Sequence, residues 1–144
     1  MPTAAALLAL ALLAQIALSI VAMLRAGAAR VGAVRARRVR LADIALDTGA
    51  WPDDVRKMSN NMQNQFETPT LFYAVGLLAL ALGMADLAVA VLAWVFVGFR
   101  ILHMAVHTGS NDVLPRFRMF AAGVACIAVM AVILTLRIVL GMAG

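Results

Sequence analysis

The sequence predicts an all-α integral membrane protein in which residues 1–144 form one domain, a bundle of four transmembrane helices. Of the 144 residues, 65% are hydrophobic, and the mean hydropathy is +0.97. A soluble domain is only about half apolar. Charged residues make up 13% of the chain and cluster between long apolar runs. Because lipid offers no partners to backbone N–H and C=O groups, such runs are expected to form helices.

The first predicted span is residues 4–24, which contain no charged side chain. A helix of this length can cross a hydrocarbon core of about 30 Å. A cleaved signal peptide is the alternative interpretation. However, Met1–Ala6 carries no positive charge, and the apolar run is longer than the core of a signal peptide. We therefore predict a transmembrane helix.

A basic connection, residues 25–57, follows the first span and contains eight of the twelve Lys and Arg residues. Arginine alternates there with alanine and valine, which predicts a partly helical segment at the membrane surface, where anionic lipids attract basic side chains. Asp47–Gly49 predicts a turn, and Pro52 predicts a helix start. Membrane lipids are the predicted partner, and nucleic acid is not. Two roles stay open for the connection: anchoring to anionic lipid, and a lid over a site.

The second predicted span is residues 64–83. Its apolar part, Thr70–Leu82, is too short to cross the membrane, and counting about 20 residues back from its end places the boundary at the start of this range. No helix breaker stands between Pro52 and Pro69, and proline is tolerated in membrane helices whose neighbours satisfy the freed carbonyl group. We therefore predict one continuous helix that runs from water into the membrane, with Glu67 just inside the boundary.

The third and fourth predicted spans are residues 87–106 and 116–136. The tight turn Gly83–Asp86 precedes the third span. A third span that ended at Phe99 would have only 13 residues, so it must continue through Arg100. An arginine inside the membrane is energetically costly and points to a functional role.

Basic residues are distributed unevenly between the two ends of the predicted bundle. Ten of the twelve lie in the basic connection or at the start of the fourth span, whereas Arg137 lies at the opposite end. The positive-inside rule then places the basic connection in the cytoplasm and both termini on the non-cytoplasmic side. No internal repeat is evident, which disfavours a small transporter built from inverted repeats.

Polar residues form one face on each of two predicted helices. Their spacings are i, i+4, i+7 on the second helix and i, i+3, i+7 on the third, so each set shares one side of its helix. The two sets are Asn60, Asn64 and Glu67, and Arg100, His103 and His107. Glu67 and His103 are each 18 residues from Ala85 in the turn, which puts them at the same depth. With Arg116 and Arg118 entering from the fourth span, the sequence predicts a polar, mostly cationic pocket.

Three interpretations of this pocket are open. In the first, Glu67 and Arg100 form a structural ion pair and the two histidines are packing residues. In the second, the excess positive charge awaits an anionic ligand, because uncompensated charge is costly near lipid. In the third, His103, His107 and Glu67 hold zinc, but the surrounding arginines disfavour a cation. We favour the anionic ligand and predict no metal site.

At these residues the chain resembles the MAPEG family, the membrane-associated proteins of eicosanoid and glutathione metabolism. Asn64 and Glu67, followed by Pro69, match that family's Asn-x-x-Glu element and proline on the second helix. Arg100 and His103 match Arg-x-x-His on the third helix of the prostaglandin E synthase branch, and an arginine opens the fourth helix here as there. The run Asn64–Tyr73 is similar to members of bacterial type.

The resemblance implies a homotrimer that binds glutathione as co-substrate between neighbouring subunits, near the cytoplasmic side of a bacterial inner membrane. The residues implied to bind glutathione are Asn64, Glu67, Arg100, His103 and His107. Arg116 is implied to be catalytic, stabilising the thiolate that attacks a lipophilic substrate from the bilayer. The implied function is a glutathione-dependent transferase or peroxidase.

The chain departs from the eicosanoid branch at three positions. Asn60 stands where that branch has an arginine, and His107 and Phe120 stand where it has tyrosines. An alternative function therefore stays open, a non-catalytic membrane module that binds an anionic lipid or a partner through the same pocket. The choice between Arg116 and Arg118 also stays open.

Overall fold

The computed structural model describes residues 2–141, and these residues form helices and no strands. The helices are α1 (Thr3–Arg35), α2 (Leu41–Ile44), α3 (Asp53–Asn64), α4 (Thr68–Ala81), α5 (Leu87–Thr108) and α6 (Val113–Val139), with one 3₁₀ turn at Thr48–Ala50. Three of them, α1, α5 and α6, are long and apolar enough to cross a membrane. The second predicted span, residues 64–83, contains α4 and is not one continuous helix.

Helix α1 extends well beyond the predicted first span, to Arg35. The first part of the basic connection therefore continues this helix. Alanine between the arginines favours helix, and a helix need not end where the hydrocarbon core ends. The chain turns away at Arg37, which has a positive φ of 55°. The predicted turn at Asp47–Gly49 coincides with the 3₁₀ turn, where the Asp47 carboxylate accepts a hydrogen bond from the Gly49 N–H at 2.7 Å.

The prediction of one helix from Pro52 into the membrane is wrong, because the chain breaks at Gln65–Glu67 between α3 and α4. Pro69 explains the break. Its ring has no N–H, and in a continuous helix it would clash with the carbonyl group of Gln65, four residues earlier. Proline is instead compatible with the first turn of α4, where it lies. We call these three residues the helix break.

A buried amide pair ties the helix break to α1. Gln65 is 1% exposed, and its Oε1 accepts a hydrogen bond of 3.1 Å from Nε2 of Gln15. Gln15 is fully buried, and the Ser19 hydroxyl donates to its backbone carbonyl at 3.0 Å. Polar side chains inside a helical membrane bundle are expected to find such partners across helices. The pair therefore fixes the position of α1 relative to the helix break.

The apolar core lies between α1, α4, α5 and α6. Phe72 of α4 stacks on Phe96 of α5, with ring centroids 4.3 Å apart, and both are fully buried. At the far end of the bundle, Arg137 pairs with Asp86 in the predicted turn and donates to the carbonyl of Met84 at 3.0 Å. These contacts hold the end of α6 against the turn that starts α5.

The basic end of the bundle is the end formed by the segments 36–52 and 109–112. Arg38 makes two hydrogen bonds to the carboxylate of Asp54, at 2.9 and 2.7 Å, and these bonds hold the pKa of that exposed carboxyl below its usual value. Lys57 donates to the carbonyl of Gly109 at 2.8 Å. The two contacts join α3 to the segment after α1 and to the end of α5.

Helices α1 and α4 are tightly packed at Gly76, which gives a first prediction. A Cβ atom at this position would lie 2.7 Å from Cδ2 of the buried Leu12, whereas one at Gly98 would meet nothing within 4 Å. Both substitutions by alanine gain the same helix propensity. We expect Gly76→Ala to be less stable than Gly98→Ala by about 1–3 kcal/mol, the usual cost of overpacking. Thermal unfolding in detergent measures the difference, and equal stabilities would contradict this packing.

Candidate functional site

A cavity of about 390 Å³ opens at the basic end of the bundle, between α3, the helix break, α5 and α6. Its polar lining residues are Asn60, Gln63, Asn64, Glu67, His103, His107 and Arg116. Its apolar lining residues are Val113, Phe117 and Phe120, all on α6. A concave site of this size, with convergent polar groups and an aromatic side, is typical of a small-molecule site.

The cavity brings together most of the residues that the sequence predicted. Asn64 and His107 are in contact, with Asn64 Nδ2 3.5 Å from His107 Nδ1. His103 and His107 lie one turn apart on α5, with their rings perpendicular and the centroids separated by 5.4 Å. Both histidines are nearly buried, and Nδ1 of His103 has no hydrogen-bond partner within residues 2–141. Glu67 and His103 both line the cavity, which agrees with the equal depth predicted for them.

Arg100 does not line the cavity, although the sequence grouped it with the ligand-binding residues. Its side chain is 1% exposed and points at the helix break. Nη2 donates to the backbone carbonyl of Asn64 at 2.8 Å, and Nη1 lies 3.4 Å from the hydroxyl of Thr68. A carbonyl group freed by a broken membrane helix needs a donor from elsewhere in the protein. Arg100 supplies that donor, and so fixes the geometry of the segment that carries Glu67.

Glu67 is exposed at the cavity wall. The structural ion pair with Arg100 is not formed, because the part of the chain that the structure describes has no Glu67 salt bridge within 4.0 Å. The Glu67 carboxylate is therefore free to accept hydrogen bonds from a cationic group of a ligand.

Arg116 lies at the cavity, and Arg118 does not. Nη1 of Arg116 donates to Oδ1 of Asn111 at 2.6 Å, which holds the guanidinium at the rim. Asn111 has a positive φ of 60°, a conformation that asparagine tolerates better than most residues. Arg118 is exposed two residues further along α6, on a different face of the helix.

Three lining residues were not predicted from the sequence, namely Gln63, Val113 and Phe117. On α6 the lining residues are spaced i, i+3, i+4 and i+7 from Val113, which is the period of one helix face. Once Arg116 is placed in the site, this period identifies its apolar neighbours. Within residues 2–141 no group of three or more His, Cys, Asp or Glu side chains is arranged to hold a metal ion.

The fold and the cavity define a class, an α-helical membrane protein with a cavity lined by charged and polar residues at one end of its bundle. The chain matches the family model of the MAPEG family over residues 3–136 and belongs to that family. No curated protein and no solved structure matches it. Membership supports a glutathione-related transferase, peroxidase or related function at the level of the family.

Proposed function

We propose that the protein is a glutathione-dependent transferase or peroxidase, which binds glutathione in the cavity and acts on a lipophilic electrophile from the bilayer. The observation that carries the proposal is the presence of two oppositely charged groups in the lining of one cavity. Glu67 has no ion-pair partner among residues 2–141, and Arg116 is held at the rim by Asn111.

The chemistry of the lining residues fits the tripeptide. Glutathione carries one ammonium group, two carboxylates, two peptide groups and a thiol. Glu67 is the lining residue suited to the ammonium group, because a carboxylate accepts charge-assisted hydrogen bonds. The amides of Asn60 and Gln63 can donate to carboxylate and peptide oxygens. The Nδ2 of Asn64 already donates to the Asn60 carbonyl, so Asn64 is suited to accept a peptide N–H through its Oδ1. Phe117 and Phe120 provide apolar surface for the lipophilic second substrate.

Arg116 would supply the chemical activation. A guanidinium beside a thiol lowers the pKa of the thiol and so favours the thiolate, which is the nucleophilic form. In a transfer reaction the sulfur forms a bond to the electrophilic carbon, and the leaving group departs with the bonding electrons. In a peroxidase reaction the thiolate attacks a peroxide oxygen, the O–O bond breaks, and the alkoxide leaves and is protonated to the alcohol. The sulfur is then a sulfenic acid, and the thiol of a second glutathione displaces its hydroxyl group as water to form the disulfide.

The proposal includes a homotrimer with the site between neighbouring subunits, in a bacterial inner membrane with both termini on the non-cytoplasmic side. Phe117 is 61% exposed in the single chain, so one side of the cavity has apolar surface that a neighbouring subunit can cover. The uneven distribution of basic residues supports the orientation. Native mass spectrometry of the detergent-solubilised protein tests the assembly, and only monomers or dimers would contradict it.

Calorimetry with glutathione tests the proposed ligand and gives a second prediction. We expect Glu67→Gln to weaken glutathione binding about 10- to 100-fold, because a charged hydrogen bond contributes about 1.5–3 kcal/mol. Asp112→Asn is the matched control, since Asp112 is exposed at the same end of the bundle but outside the cavity. The absence of both binding heat and a thermal shift at millimolar glutathione would overturn the proposal. Equal losses of affinity in the two variants would overturn it as well.

The alternative is a non-catalytic membrane module that binds an anionic lipid or a partner through this cavity. The observation that favours it is the absence of phenol groups from the lining, where His107 and Phe120 replace the tyrosines of the eicosanoid branch. Such a module would bind its ligand and would not convert the thiol of glutathione to the thiolate. Ultraviolet absorbance of the bound thiolate, which appears only in the enzyme, separates the two functions.

A further inference from the structure

Two further concavities adjoin each other at the basic end. The first shares Asn60 and Gln63 with the glutathione cavity, and the second shares no lining residue with it. The first is a polar cavity of about 180 Å³, whose lining includes Arg30, Thr48, Arg56 and Ser59. The second is a groove of about 450 Å³ between α1 and α2, and almost all of its surface is apolar. Arg30 and Trp51 belong to both, so the polar cavity and the apolar groove meet at these two side chains.

Arg30 is held in place at this junction and keeps free donors. Its Nε donates to the hydroxyl of Ser59 at 3.2 Å, and its Cζ lies 5.7 Å from the ring centroid of Trp51. Such a position over an indole ring is an attractive cation–π contact. Within residues 2–141, Nη1 and Nη2 make no hydrogen bond to a protein group. Two N–H-bearing nitrogens are therefore available to an anion in the polar cavity.

The polar cavity has a second cation and further hydrogen-bonding groups. Arg56 pairs with Asp53 at 3.1 Å, but the Asp53 side chain is 98% exposed. An ion pair in full contact with water contributes little, so an anion can replace it at low cost. Thr48 adds a hydroxyl group that can donate a hydrogen bond. This set of donors, with two guanidinium groups, suits a phosphate.

The groove provides a surface for a hydrocarbon chain next to the phosphate donors. Val31 and Val34 on α1 face Leu41 and Ile44 on α2, and each pair is spaced i, i+3. Leu41 is 67% exposed, although it lies in the most basic part of the chain. An apolar strip beside two arginines fits an amphiphile with an anionic head.

The position along α1 agrees with the headgroup layer of a bilayer. Arg30 stands six residues beyond Leu24, the end of the uncharged run, which corresponds to about 9 Å along the helix. The polar layer on each side of the hydrocarbon core is about 5–8 Å thick, so the backbone of Arg30 lies at its outer edge. The side chain of a helical residue leans toward the helix N-terminus, which brings the Arg30 guanidinium back into this layer. Trp51, on the other side of the junction, is a residue type enriched at this interface.

We propose that the polar cavity and the apolar groove together bind one anionic phospholipid, with its phosphate on Arg30 and Arg56 and an acyl chain along α1 and α2. The lipid would fix α2 and the 3₁₀ turn at the membrane surface. In this proposal residues 36–52 are held at the membrane by one specific lipid, and not only by a general attraction of basic side chains to anionic lipids.

Native mass spectrometry of lipid retention tests the site. The protein, purified in neutral detergent, is titrated with phosphatidylglycerol and with phosphatidylcholine of the same acyl chains. We expect one phosphatidylglycerol per chain to be retained about tenfold more tightly than phosphatidylcholine. Arg30→Gln should lower phosphatidylglycerol retention about tenfold. Arg25→Gln, which removes an exposed arginine of α1 outside both concavities, should leave it unchanged.

Further arms identify the ligand and guard against misfolding. Leu41→Gln should weaken the binding of phosphatidylglycerol but not that of glycerol phosphate, because the substitution alters only the groove. Leu41 is exposed, so the fold should tolerate the change. Equal losses in Arg25→Gln and Arg30→Gln would overturn the proposal in favour of diffuse attraction. Tighter binding of oleate than of phosphatidylglycerol would also overturn it, as would displacement of the lipid by glutathione. Failure of glutathione to bind in the main cavity would leave this result unaffected.

Discussion

Replacing Arg116 by alanine is expected to abolish the absorbance of bound glutathione thiolate and to lower the rate of transfer about 100- to 1,000-fold. This is the usual cost of removing one donor that stabilises a developing anion. Arg116 lines the cavity and is oriented by its 2.6 Å hydrogen bond to Asn111. Difference absorbance in the ultraviolet, with and without glutathione, measures the thiolate directly. Steady-state kinetics with a lipophilic electrophile measure the rate.

The matched control for this prediction lies two residues away. Arg118→Ala removes the same charge from the same helix, but Arg118 is exposed and outside the cavity. We expect this variant to retain the thiolate absorbance and a rate within a few-fold of the unsubstituted protein. If Arg118→Ala lost the thiolate and Arg116→Ala kept it, the proposed role of Arg116 would be wrong.

Replacing Arg100 by alanine is expected to lower the free energy of unfolding by about 3 kcal/mol and to weaken glutathione binding as well. The substitution leaves a void, which costs about 2–5 kcal/mol for a large buried side chain, and removes the donor to the Asn64 carbonyl, which costs about 1–3 kcal/mol. Relief of the buried charge offsets part of this sum. Because Asn64 ends α3 directly before the helix break, Glu67 would lose its fixed position.

Arg100→Lys is the informative partner of this variant. It keeps a positive charge and one donor, so it should retain part of the stability and of the glutathione affinity. Thermal unfolding in detergent and calorimetry measure the two quantities on the same samples. Full stability together with unchanged affinity in Arg100→Ala would contradict the role of Arg100 in supporting the break.

The apolar segments could be predicted from the sequence, because span length and hydropathy depend on local composition. Helices α5 and α6 and the turn Gly83–Asp86 lie where the sequence placed them. The helix break could not be predicted in the same way. Pro69 was a visible signal, but whether a membrane helix tolerates a proline depends on its neighbours. Here Gln15 on α1 and Arg100 on α5 supply the groups that hold the break.

Most of the cavity could be predicted from helix faces and depth, and the partner of Arg100 could not. Counting residues from the turn places Arg100 at nearly the depth of Glu67. Depth alone does not show whether the guanidinium contacts the Glu67 carboxylate or a backbone carbonyl group nearby. The choice between Arg116 and Arg118 depends on the rotation of α6 about its axis, which is set by packing against α5. The sequence predicts a partly helical basic connection, but not that its helix continues α1 to Arg35, because arginine ends an apolar run without ending a helix.

The most direct test of the central claim is a structure of the protein determined with saturating glutathione. We predict density for one tripeptide per cavity, between neighbouring subunits. Its ammonium group should lie within hydrogen-bonding distance of Glu67 and its sulfur beside Arg116. An empty cavity under these conditions, or a tripeptide bound at Arg30 and Arg56 instead, would contradict the claim.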